Sequence, residues 1–213
     1  MSLSAVLGGF KICQSGLGAK VHKASAPKLG IMFEQVVETL LTILVQNKNI
    51  WMARNNGDIV TLDTYGLKVL AEPQELDIDI LDLKEKCKES YYKYQTDIKE
   101  LLEPYAFSRI HDMFEMEAFD LTILLWTQIF YSLIYRYDVS RNGEERRTII
   151  NVLKPLYFAR SLSFNYYTWK YNVKYSEKEI RKSAIGFASQ KYYLWGLYCK
   201  GNKLKPDKAK KKK

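Results

Sequence analysis

The segment Lys20-Val21-His22-Lys23 has the residue types best suited to chemistry in this chain. Two lysines flank an imidazole, a combination that suits a bound phosphate or diphosphate, and a neutral imidazole can also ligate a metal ion held on that phosphate. No carboxylate stands at a useful spacing nearby, so the residues alone give a weak metal signal. The pattern predicts Lys20 and Lys23 as anion contacts and leaves His22 as a candidate metal ligand.

Outside this segment the sequence is poor in catalytic sets. It has no phosphate-binding loop, no glycine-rich dinucleotide turn and no nucleophile elbow. His111 and Asp112 are adjacent, which places them about 100° apart on a helix, so a surface histidine is expected there rather than a dyad. The three cysteines Cys13, Cys87 and Cys199 are scattered and form no paired motif. They predict a reducing, cytoplasmic setting without a disulfide framework.

The elements around His22 follow a strand–loop–helix order. Apolar and polar residues alternate over residues 10–15, which predicts a strand, and glycine, serine and proline mark a loop over 16–29. An apolar stripe at helical spacing then predicts a largely buried helix over 30–46. Residues 1–8 are interpreted as the end of a helix closed by Gly8 and Gly9. Residues 47–58 are predicted to be a turn region that Trp51 holds against the core.

The remainder is predicted to be a helical bundle. Apolar residues at intervals of three or four indicate an amphipathic helix over 80–101, capped by Asp77 or Asp79 and ended by Pro104. Further helices are predicted at 104–114, 118–137, 144–160 and 177–199. Pro155 should kink or divide the third of these four, and Ser176 with Glu179 forms a predicted capping box. The fold class is therefore mainly α, with a short strand–loop–helix opening followed by a helical bundle.

Hydropathy and charge limit which kinds of partner the chain could have. The most apolar stretch, residues 121–135, is shorter than the roughly 20 residues of a spanning helix and predicts a buried core helix, without a transmembrane segment or a signal peptide. The net charge is +9, and the segment from Lys203 onward holds seven lysines and one aspartate. This segment, 203–213, is predicted to be a disordered tail, with an arm for nucleic acid or an anionic membrane as the alternative.

Two blocks of the sequence carry a family resemblance. The first joins Gly9–Gln14, Leu17–His22 and Leu29–Leu40, and the second runs from Leu153 to Phe164 and continues in the acidic-basic segment from Ser176. In this order they resemble the segment that follows the catalytic domain in family-2-type glycosyltransferases, and the most similar group is that of glucosyl-3-phosphoglycerate synthases and their relatives. The blocks cover about a third of the chain, and the first is the more specific.

The resemblance implies a division of the chain and a set of roles. Residues 1–76 would be the C-terminal remnant of a nucleotide-sugar-binding α/β domain with a connector, 77–202 a helical domain and 203–213 the tail. His22 would complete the shell of a divalent metal, Mg²⁺ or Mn²⁺, that an Asp-x-Asp motif holds on the donor diphosphate. Lys20, Lys23 and Arg160 would contact substrate.

The sequence departs from the family because it has no Asp-x-Asp motif before His22, so the nucleotide-binding domain is expected to precede residue 1 or to come from another subunit. The implied activity is transfer of glucose or mannose to a small acidic acceptor such as a phosphoglycerate, by the assembled protein rather than by this chain alone. A homo- or hetero-oligomer is expected.

Other interpretations remain open at this level. Arg160 could equally pair with a carboxylate on the bundle, and the aromatic residues of 166–171 suit either sugar stacking or packing. The chain could also be a non-enzymatic basic helical module that binds nucleic acid or protein. A third interpretation is a peripheral membrane protein that uses residues 121–135 together with the lysine tail.

Overall fold

The computed structural model describes residues 2–16, 29–53, 63–66, 79–168 and 173–203. Within these ranges the chain forms ten helices and two short strands. In order they are α1 (Ser2–Leu7), β1 (Cys13–Gly16), α2 (Leu29–Gln46), α3 (Lys48–Ala53), β2 (Asp63–Gly66), α4 (Ile80–Lys93), α5 (Gln95–Leu101), α6 (Pro104–Glu115), α7 (Ile123–Val139), α8 (Gly143–Thr168), α9 (Val173–Ser189) and α10 (Lys191–Lys203). The predicted fold class, mainly α with a short strand-containing opening, is confirmed.

Helix α8 lies at the centre of the bundle and packs against α2, α4, α5, α7 and α9. The largest fully buried side chains come from α8 itself, from five helices around it and from the turn before α7, because each of these helices turns one apolar stripe inward. They are Leu41, Tyr91, Ile98, Ile110, Phe114, Leu121, Ile129, Leu133, Tyr137, Val152, Leu153 and Leu156. Three of them lie on α7, which confirms that the apolar stretch 121–135 forms a core helix. No helix in the described ranges is long and apolar enough to cross a bilayer.

Helix α2 joins the same core. It begins one residue before the predicted segment and ends at the predicted residue. Phe33, Val37 and Leu41 are buried at intervals of four residues, and the helix packs on α7 and α8. The division of the chain at residue 76 stays a prediction.

Local capping signals were predicted correctly at two helix ends. After α1 the amide of Phe10 donates to the carbonyl of Ala5 at 3.1 Å. Gly9 has a φ of 76°, the left-handed conformation with which a glycine commonly ends a helix. At α4 the carboxylate of Asp79 accepts from the amide of Asp82 at 3.0 Å. Both helix ends depend only on residues that are close in sequence, so they can be predicted without knowledge of the fold.

Other boundaries differ from the prediction. The segment 80–101 is two helices because Tyr94 leaves helical geometry, with φ −110° and ψ 14°. The predicted helix over 177–199 is also two, separated at Gln190, and α9 already begins at Val173. The predicted capping box is therefore wrong, since Ser176 lies inside α9. The predicted turn over 47–58 is wrong for residues 48–53, which form α3.

Helix α8 continues across Pro155. The sequence predicts a kink or a division there, but a single helix runs from residue 143 to residue 168. An interior proline costs a helix about 3 kcal/mol. Val152, Leu153, Leu156 and Ala159 are all buried on both sides of the proline. Their burial against neighbouring helices outweighs that cost, since each large apolar side chain contributes about 1.5–3 kcal/mol.

The short helix α3 ties the beginning of the bundle to its last helix. The Lys48 ammonium lies 2.5 Å from the Asp138 carboxylate and 4.8 Å from the centre of the Tyr198 ring. The Trp51 indole N–H donates to the carbonyl of Leu44 at 2.8 Å, and its ring packs 6.2 Å from that of Tyr198. Trp51 is half-buried against the core, as the sequence predicts.

Candidate functional site

The predicted donor-side residues belong to the stretch between β1 and α2. Lys20, His22 and Lys23 lie outside the described residues, so their roles stay predictions. In the part of the chain that is described, no group of three or more His, Cys, Asp or Glu side chains is placed to hold a metal ion. Asp77-Ile-Asp79 has the letters of an Asp-x-Asp motif but comes after His22 in the chain. Its second aspartate, Asp79, caps the start of α4.

The strand before this stretch belongs to a small open sheet. Strands β1 and β2 pair in parallel, with Cys13 opposite Asp63 and Gly16 opposite Gly66. The side chains of residues 13–15, Asp63 and Tyr65 are exposed, and Tyr65 has 59% of its surface accessible. Parallel sheets are normally covered on both faces, and two strands alone are marginally stable. In the described ranges each strand pairs only with the other, and an unpaired strand edge is where a further strand can add.

Arg160 occupies a defined position on α8. Its Nη1 donates to the carbonyl of Leu121 at 3.0 Å, and its Nη2 donates to Ser183 Oγ at 3.4 Å. The guanidinium therefore joins the start of α7 to α9. The carboxylates of Glu179 and Asp120 lie close enough to stabilise its charge, and both predicted roles, a substrate contact and pairing with an acid on the bundle, stay predictions.

A cavity of about 190 Å³ opens beside this guanidinium. Polar groups come from three elements: Asp120 and Thr122 precede α7, Arg160 and Tyr167 lie on α8, and Glu179 lies on α9. The ring of Phe164 and the side chains of Leu121 and Ile123 supply the apolar part. A second, more open recess of about 330 Å³ lies on the other side of Arg160 and is lined by Trp126, Tyr157 and Ile180 among others.

The charges of the first cavity are mixed. Burial lowers the pKa of the Arg160 guanidinium from its usual value, and the carboxylates of Glu179 and Asp120 oppose that effect. The Tyr167 hydroxyl donates to Asp120 Oδ1 at 2.8 Å, and this hydrogen bond raises the pKa of Tyr167. Glu179 also pairs with Lys182. One cation thus faces two carboxylates, of which one is already paired and the other accepts a hydroxyl.

Two contacts fix the walls of the cavity. A side chain on Gly186 would place its Cβ 2.4 Å from Ile123 Cγ2, so only glycine allows α9 to approach the start of α7 this closely. Glu179 and Ser183 precede Gly186 on the same face of α9, by seven and three residues. On α8, the buried hydroxyl of Ser163 accepts from the amide of Leu121 at 2.9 Å, which holds the turn before α7 in place.

The two histidines have different surroundings. His111 is half-buried, with 38% of its side chain exposed at the surface, and its Nδ1 lies 3.0 Å from the Tyr91 hydroxyl and 3.3 Å from Gln95 Nε2. Its ring stacks on that of Phe107 with centres 5.7 Å apart. These contacts join α6 to α4 and α5, and none of them involves Asp112.

Sequence reasoning selected Arg160 and noted Tyr167, but it missed Asp120, Glu179 and Ser183. The signal for the last two was local: Glu179, Ser183 and Gly186 follow one another at helical spacing, which marks a polar face with a point of close approach. No local signal relates Asp120 to Arg160, because their proximity depends on how α7 and α8 pack.

Comparisons with protein-family models, with curated proteins and with solved structures find no match to this chain.

Proposed function

We propose that this chain is the C-terminal part of a metal-dependent nucleotide-sugar glycosyltransferase that moves glucose or mannose to a small acidic acceptor such as a phosphoglycerate. The observation that carries the proposal is the open parallel sheet of β1 and β2. Its exposed faces and edges fit the last strands of a larger α/β sheet whose remaining strands belong to another domain or subunit. The segment with His22 follows β1 directly, as the resemblance requires.

The proposal divides the work between two regions. Lys20 and Lys23 bind the donor diphosphate, and His22 supplies one imidazole to a cation whose carboxylate ligands come from the other domain. The cation, Mg²⁺ or Mn²⁺, neutralises charge on the leaving diphosphate. Arg160 lies in the helical region and contacts hydroxyl groups of the sugar that is transferred. The cysteines of the chain are all unpaired, which suits a reducing, cytoplasmic setting.

The first test is assembly. The chain is produced alone and together with a polypeptide that carries an Asp-x-Asp α/β domain, taken from the neighbouring reading frame. Amide hydrogen exchange of residues 13–16 and 63–66 is then compared in the two samples. Strand addition should slow exchange of these amides, because it supplies new backbone partners. Unchanged exchange in a stable complex would contradict the role assigned to the sheet.

The second test is activity of the assembled protein. Release of nucleoside diphosphate from UDP-glucose or GDP-mannose is measured with 3-phosphoglycerate as acceptor, with and without Mn²⁺. His22→Ala should lower turnover by about 100-fold or more while the melting temperature is unchanged. His111→Ala is the matched control, because His111 supports the core and its loss should lower stability without lowering the turnover of folded molecules. Full turnover of the His22 variant would remove the metal assignment.

A further inference from the structure

The cavity beside Arg160 has a composition that selects its ligand. We propose that it binds the hydroxyl groups of one neutral, polyhydroxylated ligand of sugar or polyol size, and that it rejects phosphate and carboxylate groups. The inference deepens the proposed function, on which it rests for the choice of sugars as probes. It concerns the helical region alone, so it is tested without the second domain.

Hydrogen-bonding capacity is the first argument. A guanidinium has five N–H groups, and two of those of Arg160 are used by Leu121 and Ser183, which leaves three donors. Asp120 accepts the Tyr167 hydroxyl through Oδ1, and Glu179 accepts Lys182 through Oε1, so each keeps a second oxygen as an acceptor. Donors and acceptors therefore face the same small space. A hydroxyl group both donates and accepts, so a ligand with several hydroxyls matches both kinds of group.

Charge is the second argument. A phosphate would gain the Arg160 guanidinium but would lie beside the carboxylates of Asp120 and Glu179, which line the same cavity. Like charges at this range disfavour each other strongly where water is partly excluded. A carboxylate or a fully ionised phosphate monoester group offers acceptors only, and inorganic phosphate has at most two hydroxyl donors, so these anions would also leave oxygens of Asp120 and Glu179 without donors or meet them at the cost of charge repulsion. A neutral ligand avoids both costs.

Size and shape are the third argument. The cavity of about 190 Å³ is smaller than the roughly 300–1,000 Å³ of pockets for drug-sized ligands, so it admits one small molecule. The ring of Phe164 lines it together with the polar groups. A pyranose has apolar C–H faces and polar edges, and an aromatic wall between hydrogen-bonding groups suits that distribution.

The experiment is ligand-observed NMR by saturation transfer on the whole chain. The probes are methyl α-D-glucopyranoside, methyl α-D-mannopyranoside and glycerol, compared with inorganic phosphate titrated by ³¹P relaxation and with 3-phosphoglycerate. At least one neutral probe should bind saturably. Tyr167→Phe should weaken it about threefold to tenfold, since the Tyr167 oxygen, whose proton goes to Asp120, can still accept from a ligand hydroxyl and one hydrogen bond contributes about 0.5–1.5 kcal/mol. Tyr166→Phe is the matched control and should change nothing, because Tyr166 is 72% exposed and outside the cavity lining.

Asp120→Asn separates the charge argument from the hydrogen-bonding argument. Removing this carboxylate should strengthen phosphate binding while the neutral probe stays bound, and circular dichroism checks that each variant is folded. Saturable binding of phosphate to the unmodified chain, lost in Arg160→Met, would overturn the proposal, as would failure of every neutral probe to bind. Neither result bears on the sheet, so the glycosyltransferase proposal is judged separately by the exchange and turnover assays.

Discussion

Gly186 is the most sensitive point of contact between α9 and α7, and its replacement by alanine tests the packing directly. The added Cβ would lie 2.4 Å from Ile123 Cγ2, below the 3.0 Å that real contacts of this kind essentially never undercut. The obstructing atom is a methyl group on a β-branched side chain, which has little freedom to turn away. The helices must therefore separate by some tenths of an ångström at this point.

The magnitude follows from two opposing effects. Overpacking a core contact costs about 1–3 kcal/mol. Replacing an interior helical glycine by alanine returns about 1 kcal/mol. Gly196 on α10 provides the matched control, because a Cβ built there meets nothing within 4 Å. We expect Gly196→Ala to raise the free energy of unfolding by about 0.5–1 kcal/mol and Gly186→Ala to lower it by up to about 2 kcal/mol.

Urea unfolding followed by circular dichroism at 222 nm measures both variants, and the difference between them should be about 1–3 kcal/mol with unchanged m-values. Because Glu179 and Ser183 lie on the same face as Gly186, the displacement should also weaken binding of the neutral probe next to Arg160. Equal stabilisation by both substitutions would show that α9 does not pack on α7 this closely. The position of Glu179 on the cavity wall would then be wrong as well.

Three further predictions concern single buried or paired groups. Ser163→Ala leaves the buried amide of Leu121 without its acceptor and should lower the free energy of unfolding by about 1–3 kcal/mol in urea titration. Burial raises the pKa of the Cys87 thiol to about 12, so at pH 8 a disulfide reagent should modify the two exposed cysteines quickly and Cys87 only after unfolding. Two lysines hold the pKa of Glu117 down at about 2, against 4.5 unperturbed. The stability that Glu117 contributes should therefore be complete above about pH 4.5 and be lost as the pH falls toward 2.

Each of these predictions has its own control. Ser161→Ala, two residues from Ser163, removes a hydroxyl that bonds only to the carbonyl one turn before it, so stability should change by less than about 0.5 kcal/mol. Thiol counts in denaturant should reach all three cysteines, and a third fast thiol in the native protein would contradict the burial of Cys87. Glu117→Gln should make stability less dependent on pH between 4.5 and 2, and 1 M salt should reduce the difference because the pair is exposed.

The helices that could be predicted from sequence are those with a clear stripe and a local boundary signal. Helix α2 has buried residues every fourth position, and α6 starts at Pro104, where a proline is favoured in the first turn. The breaks at Tyr94 and Gln190 carry no such signal, since neither residue is a glycine or a proline. The continuity of α8 across Pro155 depends on partners far away in the chain, and a residue's own propensity gives no information about them.

In the sheet and in the cavity, too, only the features with a local sequence signal could be predicted. Alternation predicted a strand over residues 10–15, and the structure places β1 three residues later as a strand of only four residues. Its parallel partner, residues 63–66, lies 50 positions away. Arg160 was selected by resemblance, whereas Asp120 and Glu179 come near it only because α7, α8 and α9 meet. How these helices pack is set by tertiary contacts, and no single segment of the sequence carries a signal for it.

The contact between α3 and Tyr198 has a consequence for biosynthesis. Trp51 and Lys48 are made early, whereas Tyr198 lies almost 150 residues later, so during translation these two side chains lack their contacts with Tyr198 until α10 has left the ribosome. Contacts between such distant positions slow folding, and until they form, the apolar surface around Trp51 is exposed to other chains. We expect nascent chains stalled before α10 to be bound by chaperones and to be cleaved readily by protease, and full-length chains released from the ribosome to become resistant.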